Sequence, residues 1–149
     1  GVSGKKLKEK VGHTPVEVLS GALLGTVGVG LQIDSLQALI QEAAKAEIQD
    51  AVYEYVTRLT QASREHPMVQ LGVSPRGALA VTRAAKANAY LEGRNYVIPD
   101  DVCAVFPDVC VHRLILNAKA RLQEYTAAQI LQNILTSVQK PDIREFTDK

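Results

Sequence analysis

The chain has 149 residues, of which 46% are hydrophobic and 22% charged, a composition typical of one globular domain rather than of a disordered segment. Lys and Arg number 17 against 16 Asp and Glu, so the net charge of +1 gives no sign of the basic face that nucleic-acid-binding proteins carry. Aromatic residues are few and Trp is absent, which favours an aliphatic core of closely packed helices.

The first 30 residues have a pattern of their own. A basic run from Lys5 to Lys10 predicts a solvated terminus rather than a nucleic-acid or lipid contact. The longest apolar stretch of the chain, Val16 to Leu31, is shorter than the roughly 20 residues of a bilayer span and has no clean signal-peptide cleavage site. We therefore treat residues 1–30 as an N-terminal segment of uncertain origin, basic and then Gly-rich and apolar.

Helical periodicity begins after residue 31. Asp34 or Ser35 can cap a first helix that we expect to run to about Glu47. A second helix is predicted from about Gln49 to Glu65, where His66-Pro67 ends it, because proline cannot continue the helical hydrogen bonding.

The third helix has the clearest start signal in the sequence. Ser74 is a favourable N-cap, and Pro75 occupies the first helical position, where its missing N–H costs nothing. Gly93 ends the helix. Its predicted packing face is made of small residues, which lets a neighbouring helix approach closely: Ala78, Val81, Ala85 and Ala89.

Shorter elements follow. Pro99 opens a fourth helix with Asp100 and Asp101 in its first turn, where acids favour the positive end of the helix dipole. We interpret this acidic pair as capping residues rather than as a general acid/base couple, since adjacent helical side chains point in different directions. The alternation in residues 112–116 predicts a short strand, which we expect to pair with residues 96–97.

The last helix is predicted to begin at a capping box formed by Thr126 and Gln129. The fold class that follows is mainly all-α, a small helical bundle with one short two-stranded β-ribbon. The predicted organisation is an N-terminal segment (1–30), a helical domain (31–138) and a polar tail (139–149).

The sequence lacks recognisable catalytic signatures. It has no P-loop, no Gly-x-Ser-x-Gly nucleophile turn and no Cys/His spacing that fits a zinc site. Two cysteines, Cys103 and Cys110, are too few for a disulfide framework, and Pro107 between them argues against one continuous helix that aligns them. We interpret both as small buried hydrophobic residues.

Between residues 62 and 116 seven short segments occur in a fixed order. They are Ala-Ser-Arg-Glu-His-Pro (62–67), Leu-Gly-Val-Ser-Pro-Arg-Gly (71–77), Arg-Ala-Ala-Lys (83–86), Gly-Arg-Asn-Tyr-Val (93–97), Pro-Asp-Asp-Val (99–102), Phe-Pro-Asp-Val (106–109) and His-Arg-Leu-Ile-Leu (112–116). Together they resemble the C-terminal lid of MoxR-family AAA+ ATPases, and the flanking helices extend the resemblance to about residues 31–138.

The resemblance implies a nucleotide-sensing role. In that family the Gly-x-Ser-Pro-Arg segment carries the sensor 2 arginine, so Arg76 is the residue implied to contact the ATP phosphate, presented by the helix start at Ser74 and Pro75. A guanidinium can pair with phosphate oxygens through two parallel hydrogen bonds. Arg64 and Arg83 are secondary candidates, for which a structural or interdomain ion pair is the more plausible role.

The resemblance also implies a setting for the chain. ATP and Mg²⁺ would be bound mainly by a separate core that carries the Walker A, Walker B and arginine-finger elements, so the chain alone is not expected to hydrolyse ATP. The implied partners are that core and neighbouring subunits of a cytoplasmic ring, which would remodel proteins or assist metal-cofactor insertion. No nucleic acid or metal is expected, and no membrane for residues 31–149. The alternative is a freestanding helical protein-interaction module without nucleotide function.

A second, weaker resemblance covers residues 10–30. Gly12 to Gly25 is similar to the end of a divergent family related to membrane phosphatidic-acid phosphatases, in which His13 would correspond to the motif histidine. The Lys/Arg and Ser-Gly-His partners that the chemistry needs are missing, so His13 would be inert. A fusion, a junction and a chance likeness are all open explanations.

Overall fold

A computed structural model describes residues 33–142, and the expectations for residues 1–30 and for the end of the tail lie outside this range. The helices are α1 (Ile33–Ala44), α2 (Asp50–Glu65), α3 (Pro75–Leu91), α4 (Pro99–Cys110), a 3-10 turn (Val111–Arg113), α5 (Ala118–Leu122) and α6 (Ala127–Ser137). Two short strands, β1 (Val69–Leu71) and β2 (Ile115–Leu116), form an antiparallel pair. The predicted fold class, a helical bundle with one two-stranded ribbon, is confirmed.

Helix α3 lies at the centre of the bundle. It packs most extensively against α4 and also against α1 and α2, while α6 packs against α4 and α2. The small-residue face of α3 is confirmed, because Val81, Ala85 and Ala89 are fully buried. The core around it is aliphatic, apart from Tyr55 and Phe106. Small side chains on α3 thus let three helices approach one axis closely.

Most predicted helix ends agree with the structure. Helix α2 stops at Glu65 before His66-Pro67, and α3 ends at Leu91, with Gly93 in a left-handed conformation (φ 77°) that favours glycine. The Thr126–Gln129 capping box is present at the start of α6.

The ends of α1 differ from the prediction. The helix begins at Ile33, so Asp34 lies in its first turn, where its charge suits the helix dipole, rather than at the cap. It stops at Ala44 instead of Glu47. The reason is that Glu47 is extended, and its backbone N–H donates to the carbonyl of Asn95 while its carbonyl accepts from the N–H of Val97.

The predicted partner of the 112–116 strand is wrong. Within residues 112–116 only Ile115 and Leu116 form a strand, and they pair with β1 in the register Val69 to Leu116 and Leu71 to Ile115. Tyr96 makes a parallel bridge to Glu47 instead. Strand pairing in this fold depends on how the helices pack. They place β1, which follows α2, beside β2, which follows α4 and the 3-10 turn.

The expectation that Pro107 interrupts the helix between the two cysteines is also wrong. Helix α4 continues through Pro107 to Cys110, so the two cysteines stand seven positions apart on one helix face. The proline removes one backbone hydrogen bond, but burial of the surrounding Phe106 and Cys110 keeps the helix in place. Cys110 is buried as predicted, whereas Cys103 is half-buried.

Candidate functional site

The start of α3 has the geometry that the sequence predicts. Ser74 is the N-cap, with an extended backbone (φ −75°, ψ 165°), and its hydroxyl accepts a hydrogen bond from the Gly77 N–H at 3.2 Å. Pro75 occupies the first helical position. Arg76 therefore projects from the second position of a capped helix, where the unpaired N–H groups and the helix dipole create a positive potential.

The Arg76 side chain is exposed. Within residues 33–142 its guanidinium makes no hydrogen bond and no ion pair. All of its donors are consequently available to a ligand or to another protein surface. An exposed, unpaired guanidinium at a helix N-terminus is suited to an anion, above all to phosphate oxygens.

The segment before the helix is fixed to α2 by hydrogen bonds from two α2 side chains to its backbone. The hydroxyl of Ser63 accepts a hydrogen bond from the N–H of Val73 at 2.9 Å, and the Nε of Arg64 donates to the carbonyl of Val73 at 2.9 Å. Ser63 and Val73 are completely buried. Two neighbouring side chains of α2 thus hold both polar groups of the residue that precedes Ser74.

Gly72 brings the two segments into direct contact. A Cβ atom at this position would lie 2.6 Å from the backbone N and Cα of Arg64, closer than real Cβ contacts. Only glycine allows this approach, so the connection between β1 and α3 lies against the backbone of α2. The helix start that presents Arg76 is positioned by the core rather than by a free loop.

A second arginine approaches the same helix start. A Cβ atom at Gly77 would lie 3.4 Å from the Cδ atom of Arg113, whose Nε donates to the Val109 carbonyl at 3.1 Å. Arg113 and His112 are exposed. The position of Arg113 beside Gly77 could not be predicted from the sequence, because the two residues are 36 positions apart.

The two secondary arginines lie in different surroundings. Arg64 bonds to Val73 as described and lines a depression of about 490 Å³ between α2 and α3, next to Pro75. Arg83 is exposed, without a hydrogen bond or ion pair to the described residues, and lines a groove between α1 and α3. Arg83 lies about 10 Å along the helix from Arg76 and lines this groove, whose lining does not include Arg76.

The two acidic residues at the start of α4 have different partners. Asp101 is 1% exposed, and its carboxylate accepts hydrogen bonds from the Ile98 N–H at 2.8 Å, the Asn88 amide at 2.7 Å and the Arg94 guanidinium. That carboxylate raises the pKa of Arg94. Asp100 is exposed and pairs with Lys140 at 2.7 Å. This confirms the capping interpretation for Asp101.

Of the two cysteines of α4, Cys110 is buried in the core and Cys103 is half-buried. Burial raises the pKa of the Cys110 thiol to about 12. The Sγ of Cys103 lies 3.3 Å from the hydroxyl of Tyr55, and burial, followed by this hydrogen bond, raises the tyrosine pKa. The protonated thiol of Cys110 is therefore suited to packing in the core and unsuited to nucleophilic chemistry.

Residues 33–142 contain no cluster of three or more His, Cys, Asp or Glu side chains that could hold a metal ion. No helix in the same range is both long and apolar enough to cross a membrane.

The sequence of this chain is similar to a domain family and to several known proteins. Residues 61–134 match the model of the AAA lid domain. The chain is 40% identical over 103 residues to the uncharacterized protein YeaC of Bacillus subtilis, covering 69% of this chain and 32% of that protein. It is 34% identical over 122 residues to the chaperone MoxR1 of Mycobacterium tuberculosis, covering 76% and 32%.

The fold is also similar to that of a solved protein. The crystal structure of a candidate ATPase from Cytophaga hutchinsonii superposes with a TM-score of 0.69 at 26% identity, over 83% of this chain and 43% of that one. The chain spans about a third of the length of the curated relatives it matches. None of these comparisons supports the phosphatase-related resemblance of residues 10–30. The lid-domain match, the MoxR relative and the shared fold together support a lid region of the MoxR-type AAA+ family.

Proposed function

We propose that this chain is the C-terminal lid of a MoxR-type AAA+ ATPase and that Arg76 is its sensor 2 residue, which binds the terminal phosphate of ATP held by a separate core. The observation that carries the proposal is the state of Arg76: exposed, without a partner in residues 33–142, and at the second position of a capped helix. The depression beside Pro75 adds an open surface on which a core can approach.

The residues at this helix start fit a phosphate. The Ser74 hydroxyl accepts a hydrogen bond from the Gly77 N–H and so caps the first turn of α3. Pro75 restricts the backbone of that turn. Arg76 then adds a full positive charge to a helix end that is already positive. In the complete enzyme Arg76 would bind and orient the phosphate, while the core would supply the Walker elements and Mg²⁺.

The position of the lid would depend on this contact. Arg76 would hold the lid over the core when a terminal phosphate is present and would lose its partner when it is not. Ser63, Arg64 and Gly72 would transmit the movement, because they join the start of α3 rigidly to α2. Coupling of this kind would serve a cytoplasmic ring of subunits that remodels proteins or assists metal-cofactor insertion.

The experiment combines the full chain with a MoxR ATPase core that lacks its own lid and measures ATP hydrolysis. We expect the chain to restore hydrolysis. We expect Arg76→Ala to reduce the restored rate roughly 10- to 100-fold, the range that corresponds to one charge-assisted hydrogen bond. Arg121→Ala is the matched control, since Arg121 is also exposed but bonds locally to the Leu116 carbonyl.

The apolar groove between α1 and α3 favours a second candidate, the freestanding protein-interaction module. This function needs no nucleotide and no free guanidinium at position 76. Equal rates with the wild-type chain and Arg76→Ala would therefore reject the sensor role and leave the interaction module as the better explanation.

A further inference from the structure

An open apolar groove of about 600 Å³ runs between α1 and α3. Large apolar side chains in its walls are exposed to between 42% and 58%, namely Leu39, Leu91, Ile40 and Leu79. They come from both helices and form one continuous surface. Contiguous apolar exposure on this scale marks a surface that another segment covers.

The charges in the groove are of one sign. Arg83 and Lys86 are the charged residues of its lining, and both belong to α3. The Nζ of Lys86 donates to the carbonyl of Ala44 at 3.0 Å, which places the ammonium at the C-terminal end of α1. Arg83 makes no hydrogen bond or ion pair with residues 33–142. The groove is thus complementary to an apolar segment with an acidic residue at one end.

We propose that the occupant is residues 16–31 of this same chain, with Glu17 next to Lys86. This segment is the longest apolar stretch of the sequence, and its last residue is followed by Gln32 and then by the first residue of α1. Its one charged residue is Glu17. Apolar character, a single carboxylate and attachment to one wall of the groove all match the surface.

The lengths agree with a segment that turns back along α1. The sequence has glycine at positions 28 and 30, a residue type that tolerates the backbone angles a chain reversal needs. Ten residues span about 15 Å even at the short rise per residue of a helix, which exceeds the about 12 Å along α1 from Leu36 to Ala44. The proposed segment is therefore long enough for Glu17 to reach the end of the groove at which Lys86 lies.

The short connection makes docking within one chain more favourable than docking between chains. A segment held by a few residues has an effective concentration on the order of millimolar at the adjoining groove. A second copy or a separate partner has to reach that concentration in solution. The inference does not depend on the sensor 2 proposal, because it involves no nucleotide and a different end of α3.

Disulfide trapping in the full chain tests the docking. Leu23→Cys is combined with Ile40→Cys, in the middle of α1, and exposed to oxidised glutathione. We expect an intramolecular disulfide that forms at least roughly tenfold faster than in the control pair of Leu23→Cys with Leu122→Cys. Leu122 is 85% exposed and is not part of the groove lining. Leu23→Cys alone measures any reaction with the native cysteines.

Charge reversal tests the register. Glu17→Lys is expected to slow the trapping, and the combination of Glu17→Lys with Lys86→Glu to restore it. Equal rates in the test and control pairs would overturn the proposal. A disulfide formed only between chains would also overturn it and would indicate a second copy as the occupant.

Discussion

The hydroxyl of Ser63 accepts a hydrogen bond from the backbone N–H of Val73 at 2.9 Å, although the two residues are ten positions apart and both completely buried. The same hydroxyl donates to the Thr60 carbonyl at 2.6 Å. Ser63 thus uses its donor and an acceptor to join the interior of α2 to the segment that leads into α3. The position of Arg76 depends on this connection.

Ser63→Ala should leave the Val73 N–H buried without a partner. We expect the free energy of unfolding to fall by about 1–3 kcal/mol, the range for an unsatisfied buried donor, as measured by urea denaturation. Thr136→Ala is the matched control, because its exposed hydroxyl donates to the Gln132 carbonyl within a helix. A loss of the same size in both variants would contradict the role assigned to Ser63.

Gly72→Ala should destabilise the bundle through a backbone collision. The new Cβ would meet the Arg64 backbone at 2.6 Å, and a backbone cannot rotate away as a side chain can. We expect a loss of about 1–3 kcal/mol, again from urea denaturation. Gly93→Ala introduces no contact within 4 Å, so its loss comes only from the positive φ, at about 1 kcal/mol. Equal losses would show that the close approach at Gly72 relaxes freely.

Local signals in the sequence predicted the helix start well. The Ser74 cap and Pro75 determine the first turn of α3 through contacts within four residues, so their arrangement could be read without a structure. The same holds for Thr126 and Gln129 at α6.

Contacts between distant segments could not be predicted. The bond from Arg64 to the Val73 carbonyl and the approach of Arg113 to Gly77 depend on how the helices pack. The strand at residues 115–116 was assigned the wrong partner for the same reason. The groove between α1 and α3 was not recognised, since periodicity shows that a face is apolar but not whether a neighbour covers it.

The adjacent acids Asp100 and Asp101 should differ sharply on substitution. Asp101→Ala removes a buried carboxylate, so the Asn88 amide loses its partner. Arg94, whose side chain is 22% exposed, keeps only its hydrogen bond to the Tyr96 carbonyl. We expect a loss of about 3–5 kcal/mol, typical of breaking a buried pair. Asp100→Ala removes an exposed pair with Lys140 and should cost less than about 1 kcal/mol. Thermal or urea unfolding of the two variants distinguishes them, and similar losses would contradict the described network.

Stability should fall at high pH because of Cys110. In the unfolded chain a thiol loses its proton near pH 8.5, whereas burial raises the folded pKa to about 12. Unfolding between these values releases a proton, so the stabilising contribution is complete below about pH 8.5 and is lost as the pH rises towards 12. Tyr55, whose pKa is also raised, acts in the same direction.

Cys110→Ala should therefore flatten the decline in unfolding free energy between pH 8 and 11, as followed by urea denaturation at each pH. Val105→Ala is the control, because it deletes a buried side chain from the same helix without removing a titratable group. It should lower stability equally at every pH. An unchanged slope in Cys110→Ala would indicate that other groups cause the decline.

Substitution of the two N-cap residues distinguishes an effect on lid stability from an effect on ATP hydrolysis. Ser74→Ala and Thr126→Ala each remove a hydroxyl that accepts from a helix N–H at 3.2 Å, so each should cost about 1 kcal/mol of stability. Only Ser74 defines the turn from which Arg76 projects. With a lid-less MoxR core, Ser74→Ala should therefore reduce the restored ATP hydrolysis, and Thr126→Ala should not. Equal reductions would mean that hydrolysis follows the overall stability of the lid, because both variants lose the same kind of cap but only one changes the surroundings of Arg76.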